Sequence, residues 1–350
     1  MGYALSGKIA ALKPYDPIAG VYPVRLDANE SYLDLPPFLR EKISAGLSEI
    51  ALNRYPDPLA VRACAAAAAA YGVRPRCVTA GNGSDELISI LLACFLEKGD
   101  TVLTLSPDFS MYPFYAALYE ADCAVLEKGP DAAVSGAEIA AKIRETGARA
   151  VVFSNPCNPT SVGMERAEVR SLLRSTDALV ILDEAYMDFW DQSLLGEAEE
   201  YDNLVILKTC SKAVGLANIR LGFAVANERI TDALRAVKSP YNVNGVSAMI
   251  GAAVLEQRDY LREAAAELVA SRQALSRELE SLLSRKAGAY RIYPSRTNFL
   301  YVSMPDAGAV FAGLKERGII VRCLGSHLRI TAGSEAENAA LTAALDGILV

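Results

Sequence analysis

The sequence predicts an α/β protein: a mostly parallel central sheet with helices on both faces, followed by a smaller α+β domain. Between residues 76 and 227, apolar β-branched runs of strand length alternate with longer segments of helical spacing, which is typical of βαβ units. Beyond Gly288 the apolar runs become short and are separated by turn residues. We therefore predict an N-terminal arm over residues 1–25, a large domain over 26–245 and a small domain over 246–350.

The first elements can be placed in chain order. The opening 25 residues are rich in Pro and Tyr and lack periodicity, so we expect an arm that packs on another surface. The alanine run 65–70 lies between Pro58 and Gly72, which predicts a helix with a breaker at each end. The strands of the large sheet are predicted at Thr101–Leu105, Ala150–Phe153, Leu179–Leu182, Leu204–Leu207 and Leu221–Ala226.

The pattern changes in the last third of the chain. From Ala248 to Lys286 a charged stretch rich in Leu and Ala predicts one or two helices. The strands of the small domain are predicted at Tyr290–Tyr293, Phe299–Val302, Ile319–Val321 and Leu328–Thr331.

Composition limits the possible classes of function. The chain has 350 residues, of which 52% are hydrophobic and 22% charged, and this is ordinary for a soluble protein with two domains. Its formal net charge is -7 and it contains no dense Lys/Arg run. Nucleic acid and membrane surfaces are therefore not expected partners. We expect neither a signal peptide nor a membrane span, since the apolar runs are far shorter than ~20 residues.

Cysteine and histidine usage argues against a metal site. Seven cysteines are irregularly spaced and form no Cys-x-x-Cys pair, which favours a reducing cytoplasm over a disulfide framework or a zinc site. The single histidine is His327. A Ser-His-Asp triad or a multi-histidine metal site is therefore hard to build, and we expect no metal.

Polar side chains follow three consecutive predicted strands at the point where each strand ends. The segments are Ser154–Thr160, Asp183–Tyr186 and Lys208–Lys212. Because the carboxyl ends of parallel strands meet at one edge of a sheet, we predict a shared ligand site there.

Lys212 is the residue on which the predicted chemistry centres. Ser211 directly precedes it, and Arg220 follows eight residues later. A lysine amine so placed can form a Schiff base with pyridoxal phosphate, and the hydroxyl and guanidinium groups can hold the phosphate. A solvated surface lysine is the ordinary alternative, so the interpretation depends on the residues around it.

The other strand ends offer what a pyridine ring needs. Asp183 could pair with the ring nitrogen and keep it protonated, although a helix N-cap is its alternative role. Asn158 and Tyr186 are candidate donors to the 3-oxygen of the ring, with core packing as the alternative for the tyrosine. Phe109 could stack on the ring or belong to the core.

Two further groups could bind anions. The glycine-rich turn Gly81–Leu87 opens an apolar helix, and glycines allow helix N–H groups to approach a phosphate, although many such turns are only turns. Arg322 and Arg329 lie in the small domain, Arg329 within an apolar run. A carboxylate or phosphate of a substrate would satisfy such an arginine, and so would a structural salt bridge.

Taken together, these motifs resemble the fold-type I pyridoxal 5'-phosphate (PLP)-dependent aminotransferases. The likeness extends from residue 26 to residue 331 and is carried in order by Leu26–Ser31, Asn53–Pro58, Gly81–Glu86, Asn158–Thr160, Asp183–Tyr186, Ser211–Arg220, Tyr241–Asn244 and Leu328–Thr331. It implies an amine donor and a 2-oxo acid as substrates of a ping-pong transfer. Within the family the chain is most similar to the enzymes that act on histidinol phosphate and 2-oxoglutarate, with aromatic aminotransferases and threonine-phosphate decarboxylases as alternatives.

The resemblance also implies roles in binding the cofactor. Lys212 would hold PLP and move the substrate proton, while Asp183 would pair with the ring nitrogen. Asn158 and Tyr186 would bind the 3-oxygen, and Phe109 would stack on the ring. The phosphate would be bound by Gly83, Ser84, Asp85, Ser211 and Arg220.

Further implied roles concern the substrate and a second subunit. Tyr55 would reach the phosphate of the other subunit, which implies a homodimer with shared sites. The substrate pocket would be lined by Tyr15, Asn29, Arg322 and Arg329. Of these, Arg329 would take the carboxylate of glutamate in one half-reaction and the phosphate of histidinol phosphate in the other.

The chain departs from the family pattern at two places. Ser161 stands where the family has glycine after Asn-Pro-Thr, and Gly163 comes two residues later. The segment between Arg322 and Arg329 is also shorter than in many relatives. Both departures lie beside the expected substrate pocket.

Overall fold

The computed structural model describes residues 2–10, 12 and 18–349. Tyr15, which we predicted in the substrate pocket, lies outside the described residues. The strands are β1 (Val24–Arg25), β2 (Val78–Gly81), β3 (Thr101–Ser106), β4 (Asp122–Glu127), β5 (Ala150–Ser154), β6 (Leu179–Asp183), β7 (Leu204–Thr209), β8 (Gly222–Ala226), β9 (Arg291–Ile292), β10 (Phe299–Ser303), β11 (Ile319–Ile320), β12 (Arg322–Leu324) and β13 (His327–Thr331).

Helices connect and cover these strands. They are α1 (Gly7–Ala10), α2 (Pro37–Ser48), α3 (Val61–Tyr71), α4 (Gly83–Phe95), α5 (Met111–Leu118), α6 (Gly136–Thr146), α7 (Arg166–Arg174), α8 (Glu228–Val237), α9 (Gly245–Leu255), α10 (Arg258–Leu283), α11 (Ala307–Glu316) and α12 (Glu335–Ile348). The predicted alanine helix is α3, which ends at a left-handed Gly72 (φ 70°). Among the described helices none is both long and apolar enough to cross a bilayer.

The large sheet has the strand order β2-β8-β7-β6-β5-β3-β4. Strands β4, β3, β5, β6 and β7 are parallel to one another, whereas β8 is antiparallel to both β7 and β2. The connection from β7 to β8 is short and contains Lys212 and Arg220, so the chain turns back beside β7 without a crossover helix. The prediction of a mostly parallel sheet is confirmed.

Helices cover both faces of this sheet. Alternate residues of β6 point to opposite sides: Val180 and Leu182 pack in one apolar core, and Ile181 packs in another. The first core is completed by α3, α6, α7 and α9, and the second by α4, α5 and α8. A strand that is buried on both faces explains the continuous apolar runs in the sequence.

The small domain is built on a separate antiparallel sheet with the order β12-β13-β10-β9. Its core includes residues from α11, α12 and the second half of α10. Helix α9 packs on α2 and α3 of the large core. We therefore propose that the boundary between the domains lies inside α10, somewhat beyond residue 246.

Residues 24–26 belong structurally to the small domain. Strand β1 pairs in parallel with β11, with Val24 opposite Ile319, and Leu26 lies in the small core. On the neighbouring sheet, the short segment after Arg322 forms a tight turn through Gly325 (φ 62°). This hairpin sets Arg322 directly opposite Arg329.

Candidate active site

A cavity of about 710 Å³ opens at the carboxyl edge of β5, β6 and β7, between the two domains. The three predicted polar segments meet there because their strands are neighbours, with Ser154 opposite Asp183. The residues that line it are Asp27, Ala28, Asn29, Glu30, Ser84, Asp85, Asp108, Phe109, Ser110, Ser154, Asn158, Pro159, Asp183, Ala185, Tyr186, Thr209, Ser211, Lys212, Ala217, Asn218, Arg220, Arg322, Leu324 and Arg329.

Lys212 lies in the connection after β7, and its side chain reaches into the cavity. Its Nζ atom donates a hydrogen bond to the Ala28 carbonyl oxygen (2.9 Å). The same atom lies 5.7 Å from the centre of the Tyr186 ring. The amine is thus held between the N-terminal segment and the end of β6, where a ligand in the cavity can reach it.

Asp183 is the last residue of β6 and is almost fully buried. The Tyr112 hydroxyl donates to Oδ2 (2.9 Å), and the Ala185 amide donates to Oδ1 (3.0 Å). Burial raises the pKa of the Asp183 carboxyl to about 7, and these two hydrogen bonds oppose the rise. The floor of the cavity therefore carries a carboxyl group whose charge is poised near neutral pH.

Asn29 and Arg329 connect the small domain to the cavity floor. The Asn29 Nδ2 atom donates to the Tyr186 hydroxyl oxygen (2.9 Å), so that hydroxyl keeps its own proton for another acceptor. Arg329 donates to Oδ1 of Asn158 (2.6 Å) and to the carbonyl oxygen of Asp27 (2.5 Å). Asn158 is therefore oriented with its amide nitrogen available as a donor.

The phosphate-side residues come together at the start of α4. Gly83 has a left-handed φ of 76°, and a Cβ atom at that position would lie 2.7 Å from Nη2 of Arg220. Arg220 donates to Oγ of Ser211 (3.3 Å), and its Nη2 lies 3.6 Å from Oδ2 of Asp85. Burial raises the pKa of Asp85, and Arg220 opposes this. With the helix N-terminus beside Ser84, these groups form an anion-binding cup.

Of two residues predicted to bind the cofactor, Phe109 lies in the cavity wall and Tyr55 does not. Phe109 meets Tyr112 edge-on, with ring centroids 5.5 Å apart. Tyr55 is 83% exposed, stacks on Tyr241 with centroids 4.8 Å apart, and is not part of the cavity wall of this single chain.

Sequence reasoning gave no individual role to several residues of the wall: Ser154 and Thr209 lie inside the predicted polar segments, whereas Asp108 was missed. A signal for them was present, because each lies at or just after the carboxyl end of a strand of the large sheet. The strand-end rule that selected Asp183 applies to them equally.

Comparisons with known proteins agree with this geometry. A family model described as aminotransferase class I and II matches residues 23–345. The chain is 35% identical to a histidinol-phosphate aminotransferase of Clostridium novyi (strain NT) over 335 residues, covering 94% of this chain and 93% of the relative. It is 38% identical to a histidinol-phosphate aminotransferase of Pyrococcus furiosus over 350 residues, covering 98% and 97%.

Solved structures share the fold. The histidinol-phosphate aminotransferase of Sinorhizobium meliloti, solved with pyridoxal-5'-phosphate, superposes with a TM-score of 0.89 at 23% identity, covering 99% of this chain and 98% of that one. Aspartate aminotransferase of Thermus thermophilus, solved with maleate, gives 0.83 at 20% identity, covering 99% and 100%. At these identities the likeness establishes the architecture.

Proposed function

Because the chain belongs to the aminotransferase class I and II family, we propose that it transfers the amino group of histidinol phosphate to 2-oxoglutarate in a ping-pong reaction. It is a PLP-dependent transaminase. The substrate is supported by relatives of that activity at 35% and 38% identity, each aligned over more than nine-tenths of both chains. The observation that carries the chemistry is the convergence of the Lys212 amine and the buried Asp183 carboxyl on one cavity.

The residues around the cavity fit PLP. The donors to Asp183, the Tyr112 hydroxyl and the Ala185 amide, are both neutral. A protonated pyridine nitrogen would supply the positive charge that this buried carboxylate favours. The cup around Ser211 and Arg220 suits a phosphate. The charges of the site are therefore complementary to both ends of the cofactor.

We propose a separate role in the reaction for each of several residues that line the cavity. When bound, PLP supplies an electron-withdrawing ring that stabilises charge on the substrate carbon and carries the amino group. We propose that the Lys212 amine accepts the proton from the α-carbon of the substrate and returns it as general acid. Tyr186 and Asn158 would donate to the 3-oxygen. The guanidinium of Arg329 would bind the acidic group of either substrate.

A half-reaction experiment tests the amine donor. The protein loaded with PLP is mixed with histidinol phosphate, phenylalanine or phosphothreonine, and its visible absorbance is followed through a single turnover. We expect loss of the cofactor's absorbance with histidinol phosphate and recovery when 2-oxoglutarate is added, with Lys212→Ala as an inactive control. A change with phenylalanine alone, or carbon dioxide release from phosphothreonine alone, would replace the proposed substrate.

We also propose a homodimer with shared active sites. Tyr55 and Tyr241 are 83% and 42% exposed, and Leu52, three residues before Tyr55, is 82% exposed. Exposed apolar side chains that lie together are typical of protein interfaces. Tyr55 stacks on Tyr241, and the adjacent Asn242 accepts a hydrogen bond at its carbonyl oxygen from the Asn82 side chain, directly before α4. The exposed face therefore adjoins the phosphate cup, where Tyr55 of the partner subunit would donate to the phosphate.

Hybrid dimers test this arrangement. Sedimentation equilibrium should give twice the chain mass. Mixing Lys212→Ala with Tyr55→Ala under conditions that exchange subunits should restore activity, because one of the two sites in each hybrid then carries neither change. A fully active monomer, or no recovery in proven hybrids, would contradict shared sites.

The cysteines support a reducing location. All seven are free thiols, four of them buried, and such a set is typical of proteins kept reduced. We propose the cytoplasm, which cell fractionation with an antibody to the chain tests. Recovery of the chain outside the cytoplasmic fraction would contradict this.

A further inference from the structure

A buried ion pair joins Asp108, which lies in the cavity wall, to Lys128 behind it. Lys128, which follows β4, lies with its Nζ atom 3.1 Å from Oδ2 of Asp108, which follows β3. The two side chains are 3% and 1% exposed. The same Nζ atom lies 2.9 Å from the sulfur of Cys157, so one ammonium group joins two loops at the cavity edge.

Asp108 connects this pair to two residues of the cofactor site. Its Oδ1 atom accepts hydrogen bonds from the Phe109 amide (2.8 Å), the Ser154 amide (3.3 Å) and the Ser154 hydroxyl. The Ser154 hydroxyl oxygen in turn accepts from the Asn158 amide (3.0 Å). One carboxylate therefore fixes the backbone of the stacking aromatic and, through one serine, the backbone of the 3-oxygen donor.

The energetics explain why a lysine is present. A carboxylate without a cation at this depth would be costly, because burial removes its hydration. A buried pair contributes little net stability compared with apolar residues of similar size. Its contribution lies instead in fixing an arrangement, and here that arrangement includes two residues of the proposed ring site.

We propose that Lys128 and Asp108 are a positioning pair that aligns Phe109 and Asn158 on the PLP ring. Asp108 lies in the cavity wall and Lys128 behind it, and the pair acts on the ring through Phe109 and Asn158. The proposal rests on PLP as the cofactor of the proposed function and is independent of the amine donor.

Three variants test the pair: Lys128→Met, Asp108→Asn and the double variant. The readouts are the dissociation constant for PLP, from titration of the cofactor-free protein, and the induced circular dichroism of the bound cofactor. Lys128→Met leaves the buried Asp108 carboxylate without its cation. We therefore expect PLP affinity to fall about tenfold or more and the dichroism to weaken. The double variant removes both charges and should recover much of the affinity.

A second ion pair, of a buried lysine with an aspartate that is 25% exposed, provides the control. Lys208 is 1% exposed and its Nζ atom lies 2.8 Å from Asp188, yet neither residue lines the cavity. Lys208→Met should lower the unfolding temperature of the cofactor-free protein comparably, while PLP affinity of the folded fraction stays within about twofold of wild type.

Several results would overturn the proposal. These are wild-type PLP affinity and dichroism in Lys128→Met, additive losses in the double variant, or an equal loss of affinity in Lys208→Met. Asp108→Asn keeps the test decisive if Lys128→Met fails to fold, because it breaks the same pair and should also lower PLP affinity, so wild-type affinity in that variant would overturn the proposal as well. A wild-type protein that binds PLP but does not react with histidinol phosphate would contradict the proposed substrate. It would not contradict the role proposed for Lys128 and Asp108.

Discussion

The hydroxyl oxygen of Tyr112 lies 2.9 Å from Oδ2 of Asp183, in the buried layer between α5 and β6. Burial raises the pKa of Asp183, and this hydrogen bond opposes the rise by favouring the carboxylate. Burial and the nearby Asp183 also raise the pKa of Tyr112 far above its usual value, so it stays a donor. The pair holds the carboxyl group in a fixed orientation towards the cavity.

The pKa of Asp183 predicts how the cofactor-free protein responds to pH. Between about pH 4 and 7 the folded protein holds a proton that the unfolded chain has released, since the pKa rises from 3.8 to about 7 on folding. Stability contributed by this group is therefore lost as pH rises through that window. We expect this dependence on pH in the difference between the urea unfolding free energies of the wild type and Asp183→Asn. A difference that stays constant from pH 4 to 8 would contradict it.

Lys212→Ala should abolish transamination, because the cavity then lacks the amine that moves the substrate proton. PLP should still bind, held by the cup and Asp183, but without a covalent link. Mass spectrometry after borohydride reduction measures the link, and a coupled assay measures the rate. Lys98→Ala, at a largely exposed lysine, is the control. Near wild-type turnover by Lys212→Ala would refute the assignment.

Arg329→Lys should raise the KM for 2-oxoglutarate by about tenfold or more, because a lysine cannot reproduce the two-pronged donation of a guanidinium to a carboxylate. It also loses one of the two bonds to Asn158 and Asp27. Arg317→Lys, at the surface directly after α11, should leave KM unchanged. Steady-state kinetics decide between these outcomes.

Gly83→Ala should weaken PLP binding, because the added methyl group would lie 2.7 Å from the Arg220 guanidinium. Gly99→Ala separates this clash from backbone strain: Gly99 also has a positive φ (86°), but nothing lies within 4 Å of its added Cβ. Both variants should lose about 1 kcal/mol of stability, and Gly83→Ala alone should lose cofactor affinity. Equal PLP affinities of the two variants would contradict the assignment of Arg220 to the phosphate-binding cup.

Ser161 occupies a buried position with a left-handed φ of 63°, which explains why glycine is common there in the family. Replacing it with Gly or Ala removes the same hydroxyl group, whose oxygen contacts the carbonyls of Thr160 and Pro294. Glycine alone relieves the backbone strain, so Ser161→Gly should be more stable than Ser161→Ala by about 1 kcal/mol. Chemical unfolding of both variants measures this, and the reverse order would contradict the strain.

Much of the fold and of the candidate site could be predicted because parallel strands in register bring their carboxyl ends together. Ser154 lies opposite Asp183 for that reason. Strand β4 was not predicted, since it forms an edge of the sheet and much of it is exposed, with Asp122 and Glu127 at its ends. Its apolar run, Cys123–Leu126, contains one β-branched residue, Val125, and so lacks the β-branched enrichment of its buried neighbours.

Lys128, which lies behind the wall, could not be predicted for the same reason. Lys128 meets Asp108 only because β3 and β4 pair with Ser106 opposite Glu127. When β4 is not predicted, the sequence indicates only that Lys128 is a surface charge. Likewise, Arg329 reaches the Asp27 carbonyl across most of the chain, a contact that depends on the docking of the domains and on no local pattern.

The pairing of β1 with β11 also bears on how the protein is made. At the ~5–20 residues per second of synthesis, Val24 emerges roughly 15–60 seconds before Ile319, its partner, exists. Asn29 and the Ala28 carbonyl, which contact Tyr186 and Lys212, follow directly after β1. The large sheet can therefore assemble during translation, whereas this wall of the cavity is completed last.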